Sequence, residues 1–345
     1  MPKSKWNLNT IYISERLQES LRSISRCAMT TVVAPMGYGK TTAVEWYLAE
    51  RARVEAPYIV RISVYSGNLA IFWKSVQDAF ARAGFAFLRE YDCPTDGASG
   101  GLLIDDLCHS LTGEKSCYIF IDDFHLLTDK RAPGFLCALA GRLPSNVHLI
   151  LASRDLFLPA AELVRLGGKV YQIGTAQLRL NHTELAVYTK RCGTALSDEQ
   201  IDTLLYYSEG WFSAVYLNLR MFSEQGVLPD PNSDISSIFT AAMIDPLPEK
   251  QREFLAVMGL ADEFTVEMAQ FVMADAHAEN LLAALTGQNA FVKRLPDGAT
   301  YRFHHMMKEC ALHTFLSMPK ERQTVYRGRL GIWYEAHRLY LHAMT

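Results

Sequence analysis

The stretch APMGYGKTT at residues 34–42 is the part of the sequence best suited to bind phosphate. Gly37 and Gly39 lack a Cβ, so the backbone can curve around an anion and point its N–H groups inward. The Lys40 ammonium group can reach the β- and γ-phosphates of a nucleotide, and the Thr41 hydroxyl can ligate Mg²⁺. The competing interpretation is a glycine-rich turn that binds nothing. The residues expected to bind the nucleotide are Pro35, Gly37, Tyr38, Gly39, Lys40, Thr41 and Thr42.

Two adjacent carboxylates, Asp122 and Asp123, follow the apolar run CYIFI at residues 117–121. In open α/β sheets, ligands bind where the strands end, so both carboxylates are expected beside the phosphate. We expect Asp122 to hold Mg²⁺ through water and Asp123 to orient or deprotonate the attacking water. A solvated acidic turn is the alternative.

Arg154 stands in the same relation to another apolar run, in the stretch ILASRD at residues 150–155. An arginine just past a central strand can point at a γ-phosphate and respond to its hydrolysis. Arg154 is therefore expected to bind the nucleotide and, with Asp123, to form the catalytic pair. The alternative is a surface arginine paired with Asp155.

The elements that must position these residues alternate in type over the first half of the chain. Apolar runs of strand length lie at residues 29–34, 58–64, 117–121, 147–152 and 169–173, and helical periodicity is clearest at residues 40–54 and 69–83. Continuous apolar strands separated by helices are typical of a parallel sheet covered on both faces. We predict an α/β P-loop nucleotide-binding domain over residues 1–175.

The second half reads mainly as helices. They are predicted at residues 182–191, 197–208, 211–223, 234–244 and 249–260. Apolar runs at 290–295 and 299–303 flank Pro296-Asp297-Gly298, a turn sequence, and so predict a hairpin. A hairpin that follows helices suggests a winged helix. We therefore predict a helical domain at 176–248, a winged-helix domain at 249–318 and the start of a helical-repeat region at 319–345.

Composition excludes several classes of protein. The chain has 34 Lys and Arg against 37 Asp and Glu, a net charge of −3, which disfavours a protein that coats nucleic acid. Its seven cysteines form no CxxC pair, so free thiols in a reducing cytosol are expected. The N-terminus lacks the apolar core of a signal peptide, and no apolar run is long enough to span a membrane. We expect a cytoplasmic protein without membrane contact.

The motifs together resemble a known family. APMGYGKTT, IFIDDFH, ILASRD, EGW at 209–211 and YRFHHMM at 301–307 occur in the order seen in large ATP-dependent transcriptional regulators of the LuxR family, of the maltose-regulon activator type. These regulators belong to the signal-transduction ATPases with numerous domains. In that family an alanine commonly replaces the first glycine of the phosphate loop, as Ala34 does here.

The resemblance implies further site residues. His304 matches the winged-helix histidine that contacts the β-phosphate of bound ADP and locks the resting state. The family often carries Gly-x-Pro near the nucleotide base, whereas this chain has Gly210-Trp211-Phe212, so Gly210 and Trp211 are only weak candidates for the pocket. Metal binding by the histidines and the cysteine at 304, 305, 310 and 313 is a competing interpretation, although their spacing fits no standard zinc pattern. Buried neutral histidines are another.

The resemblance also implies partners: an inducer (a small molecule or a protein), self-association in the ATP-bound state, and DNA bound through a C-terminal helix-turn-helix that these 345 residues lack. The final stretch reads as an unfinished repeat, so we expect either an N-terminal fragment of a longer regulator or a naturally short relative, and the unfinished repeat favours the fragment. We expect an ATP/ADP and Mg²⁺ switch with slow hydrolysis. The alternatives are a stand-alone ATPase with true turnover and a nucleotide-binding scaffold without DNA binding.

Overall fold

The structure is a computed structural model that describes residues 7–8, 10–94, 96–225, 240, 244–245, 247–288, 292–295, 297–303 and 305–339. Packing divides the chain into two compact units, residues 1–215 and 216–345, each described by itself. The predicted domain boundaries at 175 and 248 remain predictions.

The first unit is built on a parallel sheet of apolar strands. Its strands are Met29–Val33 (β1), Tyr58–Ser63 (β2), Cys117–Asp122 (β3), Val147–Ser153 (β4) and Val170–Ile173 (β5). Their spatial order is β2-β3-β4-β1-β5, and every neighbouring pair is parallel. All seven residues of β4 are buried, as continuous apolar runs in a covered sheet should be. The five predicted strands are thereby confirmed.

Helices cover both faces of this sheet. The helices that begin in the unit are Glu15–Arg22 (α1), Lys40–Val54 (α2), Leu69–Arg82 (α3), Gly97–Leu111 (α4), Ala132–Arg142 (α5), Ala160–Leu166 (α6), Thr175–Leu178 (α7), His182–Arg191 (α8), Asp198–Ser208 (α9) and Phe212–Gln225 (α10). Because side chains alternate along a strand, β3 contributes Ile119 and Ile121 to a core shared with α3, α4 and α5. It contributes Tyr118 and Phe120 to a second core, shared with α1 and α2.

Local sequence explains where several of these helices begin. Asn181 and Glu184 form a capping box at the start of α8, and Ser197 with Gln200 forms another at α9. The predicted helices in these two places are confirmed. Helices α4 and α5 were not predicted, since α4 opens on Gly-Ala-Ser-Gly-Gly, a sequence of low helix propensity.

The second unit combines helices with a small antiparallel sheet. Its described helices are Glu249–Met258 (α11), Val266–Met273 (α12), Ala278–Gln288 (α13), His305–Leu316 (α14) and Lys320–Ala336 (α15), and its strands are Phe264–Thr265 (β6), Val292–Arg294 (β7) and Thr300–Phe303 (β8). The strand order is β6-β8-β7.

The predicted hairpin is present in this sheet as β7 paired with β8. The Asp297 carboxylate accepts hydrogen bonds from the backbone N–H groups of Ala299 and Thr300, at 3.0 and 2.9 Å, and so holds the turn.

The helix predicted at 234–244 falls mainly on residues outside the described ranges. Within those ranges, no helix has the length and apolar character needed to cross a lipid bilayer.

Candidate nucleotide-binding site

The loop between β1 and α2 has the backbone that phosphate binding requires. Gly37 and Gly39 have φ angles of +77° and +76°, in the left-handed region that residues with a Cβ avoid. Gly39 is also the N-cap of α2, so the unpaired N–H groups of the first helical turn lie beside the loop. The two glycines predicted from the motif therefore occupy positions where the conformation demands glycine. The arrangement is that of an anion-binding nest at a helix N-terminus.

Lys40 is buried inside this loop, with only 8% of its surface exposed. Its Nζ donates hydrogen bonds to the carbonyl oxygens of Ala34 at 2.7 Å and Pro35 at 2.9 Å. Burial lowers the pKa of the ammonium group, while the charges of Asp123 and Asp122 oppose that shift. A phosphate would offer this buried cation a charged partner in place of two neutral carbonyls.

The carboxylates end a strand near the loop. Asp122 is the last residue of β3, where it pairs with Ser63 of β2. Asp123 follows in a left-handed conformation with φ +54°, which aspartate tolerates better than most residues, and its N–H donates to Asp122 Oδ1 at 3.0 Å. Both carboxylates act electrostatically on Lys40. The structure therefore brings them close to the phosphate loop.

Arg154 directly follows β4, the strand that lies between β3 and β1 in the sheet. It follows Ser153, which pairs with Val33 at the end of β1, so the ends of β4 and β1 lie side by side. Arg154 Nη2 lies 3.7 Å from the sulfur of Met36 in the phosphate loop. Its guanidinium group also lowers the pKa values of Lys40 and His125. Arg154 is therefore part of the same cluster of charges.

Sequence reasoning missed His125 as a site residue. It lies in a short 3₁₀ turn, Phe124–Leu126, and its Nδ1 is 4.0 Å from Asp123 Oδ1. Burial lowers the pKa of this imidazole, the Asp123 charge opposes the shift, and Arg154 and Lys40 add to it. The sequence feature that could have identified His125 is its position two residues after Asp123 in the motif IFIDDFH.

The segment that leads into α10 packs on the phosphate loop. Ser213 donates to the Gly37 carbonyl oxygen from both its backbone N–H, at 3.1 Å, and its Oγ, at 3.0 Å. The Trp211 ring stacks on Tyr38 with centroids 6.1 Å apart. Its indole N–H is buried and has no hydrogen-bond partner among the residues that the structure describes.

These contacts show where the weak candidates of the sequence lie. Trp211 is brought against the loop, and a Cβ on Gly37 would come within 2.7 Å of its Nε1. Gly210 has φ +73°, and its carbonyl oxygen accepts from the Leu180 N–H at 2.8 Å, so it anchors the segment rather than lining the loop. Ser213 was not anticipated, because no local motif marks it.

The other predicted residues are distributed as follows. Thr41 is half-buried in the first turn of α2, Thr42 is exposed, and Pro35 is exposed at the loop's start. His304 lies outside the described residues, as does the side chain of His305, so their roles stay predictions. In the described part of the chain, no three His, Cys, Asp or Glu side chains group closely enough to hold a metal ion by themselves.

The fold of the first unit and the loop between β1 and α2 together define the class of protein. The first unit is an α/β P-loop NTPase fold with helices on both faces of a five-stranded parallel sheet, and helices and a winged helix follow it. Residues 240–323 match the model of the MalT winged helix domain. The prediction of a winged helix is thereby confirmed.

Over most of its length, the chain is similar to known transcriptional regulators. It is 22% identical to the HTH-type transcriptional regulator MalT of Yersinia pestis (strain Pestoides F), covering 98% of this chain and 39% of that protein. It is 20% identical to MalT of Vibrio campbellii, covering 94% of this chain and 38% of the relative. The chain thus spans about two fifths of the length of these relatives.

Among solved structures, the chain is similar to Cdc6p from Pyrobaculum aerophilum, at 12% identity and a TM-score of 0.44, covering 94% of this chain and 98% of that one. A Walker-type ATPase of Pyrococcus abyssi is similar at 12% identity and a TM-score of 0.45, covering 91% and 99%. These likenesses are too distant to inform the site. The regulator similarity and the loop geometry support a nucleotide-binding regulatory module.

Proposed function

We propose that this chain is the nucleotide-binding switch of a LuxR-type transcriptional regulator similar to MalT, with ATP and ADP as ligands and Mg²⁺ as cofactor. The observation that carries the proposal is the buried Lys40 ammonium group, held by loop carbonyls beside two left-handed glycines. Such a cation gains most from a polyanion, because phosphate oxygens are charged acceptors that replace neutral ones.

Each site residue has a role in this proposal. Lys40 and the loop N–H groups bind the phosphates, while Thr41 and Asp122 hold Mg²⁺. Hydroxyl and carboxylate oxygens such as these two are the ligands that would suit Mg²⁺, Asp122 acting through water. Mg²⁺ supplies charge neutralisation for the phosphates. Asp123 orients the attacking water, and Arg154 neutralises charge that develops on the γ-phosphate.

The switch itself is proposed from the family resemblance. ADP holds the resting state with the help of His304, whereas ATP and an unidentified inducer release it and permit self-association. Hydrolysis is slow, because it resets the switch rather than supplying work. DNA binding is proposed to lie outside these 345 residues, and the protein to act in the cytoplasm. Ser213 is a candidate for transmitting the state of the loop, since it binds Gly37 and opens α10.

The decisive test removes the buried ammonium group. We expect Lys40→Ala to weaken MgADP and MgATP binding on the order of 100-fold by calorimetry, since a charge-assisted contact is lost. Lys74→Ala is the matched control, because that lysine is 65% exposed in α3 of the same unit and is expected to leave affinity unchanged. Unchanged affinity in Lys40→Ala would refute the site.

The nucleotide that copurifies with the chain tests the resting state. Denaturation followed by chromatography is expected to release ADP in near-equal amount to protein. A guanine nucleotide would contradict the choice of base, and ATP in its place would contradict the ADP-locked resting state.

A stand-alone ATPase is the second candidate. The observation that favours it is the Asp123–His125 pair beside Lys40 and Arg154, which has the composition of an acid–base site. A steady-state assay separates the two functions, because turnover on the order of tens per second favours the ATPase over the switch.

A further inference from the structure

A cavity of about 420 Å³ lies in the first unit, away from the phosphate loop. Its walls are α3, α4, α5 and the face of the sheet that carries Ile119 and Ile121. Helix α2, which follows the phosphate loop, packs on the opposite face. The volume falls within the range of about 300–1,000 Å³ typical of small-molecule pockets. No residue of the loop at 34–42 lines the cavity, although Phe124, which lies between Asp123 and His125, does.

Glycines in helices line this cavity. Gly97, Gly100 and Gly101 belong to α4 and Gly134 belongs to α5. A Cβ added at Gly97, Gly101 or Gly134 would meet no atom within 4 Å, so close packing does not require glycine there. Glycine inside a helix is less favourable than alanine, because it loses more backbone entropy on folding. These glycines keep space open rather than filling it.

The walls are aromatic and carry no net charge in the described structure. Phe72, Trp73 and Phe135 supply rings, which favour flat ring partners in edge-to-face or offset contact. The lining residue Arg131 pairs with Asp129 at 2.7 Å, and Arg142 pairs with Asp105 at 2.9 Å. The lining carboxylate Asp96 accepts hydrogen bonds from the Ser99 N–H at 2.8 Å and Oγ at 2.9 Å. With the two guanidinium groups already paired, an anionic ligand would lose its hydration without gaining an ionic partner.

We propose that this cavity binds a neutral, flat aromatic molecule of two or three rings. Gly97 and Gly134 are exposed, so the entrance lies between the start of α4 and the start of α5. The ligand packs against the rings of α3 and α5 and covers apolar surface that the glycines leave bare. This inference does not rest on the nucleotide proposal.

Calorimetry of the full chain with 2-naphthol, which is neutral at pH 7, tests the site. We expect saturable binding with one molecule per chain, and binding at least tenfold weaker for 2-naphthoate, an anion of similar size. Absence of 2-naphthol binding up to its solubility limit, or equal affinity for the anion, would overturn the proposal.

Two variants place the binding in the cavity. Gly101→Leu adds a side chain to the cavity wall on α4 and Gly134→Leu adds one at the entrance on α5, so either folded variant is expected to bind 2-naphthol at least tenfold more weakly. Gly328→Leu in α15 is the control, since that helical glycine also has no atom within 4 Å of its Cβ position but lines no part of the cavity. Circular dichroism checks folding. Wild-type affinity in a folded cavity variant, or equal loss in the control, contradicts the assignment.

Discussion

Lys40 is the residue on which the proposed nucleotide site depends most. Its ammonium group is buried, and its hydrogen bonds go to two carbonyls of the loop that it would serve. The carboxylates Asp122 and Asp123 stabilise the charge from the end of β3. The cost of burying a cation is therefore met partly by the site itself.

Ser213 is expected to affect the affinity of the loop for nucleotide. Its Oγ donates to the Gly37 carbonyl oxygen and so helps to fix the orientation of that peptide. In the proposed site, the neighbouring N–H groups would bind phosphate. Ser213→Ala is expected to weaken MgADP binding about three- to tenfold, since one neutral hydrogen bond is lost. Calorimetry measures the change. Ser223→Ala is the control in the same helix, because the Ser223 Oγ donates only to the backbone carbonyl oxygen of Arg220 among the described contacts, and it should bind like the wild type. Equal effects in both variants would argue against the coupling.

His148 predicts a pH dependence of stability. It is 6% exposed, and its Nδ1–H donates to the Cys27 carbonyl oxygen at 2.9 Å. Burial lowers its pKa below the ordinary 6.5, so the unfolded chain binds the proton more readily than the folded one. The stability that His148 contributes is therefore complete above pH 6.5 and declines as the pH falls from there towards the folded-state pKa.

Urea unfolding at pH 7.5 and 5.5 measures this decline in free energy. Replacing His148 by Gln removes the titrating group, so the variant is expected to lose less stability between the two pH values than the wild type. An identical loss in both proteins would show that other groups cause it.

The turns that connect secondary-structure elements depend on the backbone conformation of a few residues. Gly210 ends the turn before α10, and a Cβ there would approach the Leu180 carbonyl oxygen to 2.1 Å while φ stays at +73°. The clash is with backbone, so it cannot be relieved by moving a flexible side chain. The orientation of the Trp211 segment against the phosphate loop therefore depends on the absence of a side chain at this point.

Gly210→Ala is expected to lower the free energy of unfolding by about 2–4 kcal/mol, from backbone strain plus the clash. Gly193→Ala is the control, because that residue also has a positive φ, +96°, but its Cβ would meet nothing within 4 Å. It is expected to cost only about 1 kcal/mol. Chemical denaturation measures both changes, and equal costs would show that the clash with Leu180 is relieved.

At the scale of the whole molecule, the cysteines differ in how deeply they are buried. All seven are free thiols: Cys27, Cys93 and Cys108 are half-buried, and the other four are buried. Burial raises the pKa of Cys117 to about 12, so its thiolate is scarce at neutral pH. The expectation from spacing, free thiols rather than a disulfide framework, agrees with this arrangement.

A thiol reagent such as Ellman's reagent is expected to label at most three cysteines rapidly in the native protein and all seven after denaturation. Reductant is expected to leave Tm unchanged, since there is no disulfide in the described structure to break. Rapid labelling of more than three thiols in the native protein would contradict the burial of the remaining four.

Much of the site was predictable, because its elements are local. The spacing Gly37-x-Gly39-Lys40 determines a left-handed turn before a helix, and an apolar run followed by Asp122 and Asp123 places carboxylates at a strand end. The spacing of apolar residues then distinguishes the strands of a parallel sheet from the helices between them. These inferences need only neighbouring residues, whose backbone preferences and burial pattern are written in the sequence.

The tertiary structure decided what lies beside the loop. Ser213 binds Gly37 across 176 positions of sequence, Arg154 reaches Met36 across 118, and the cavity is shared by three separate helices. No local pattern encodes such pairings, because they depend on which strands become neighbours and how helices pack on them. The sequence determined the residue types of the proposed phosphate site. Packing determined its surroundings, since contact free energy between distant residues exists only once the sheet has formed.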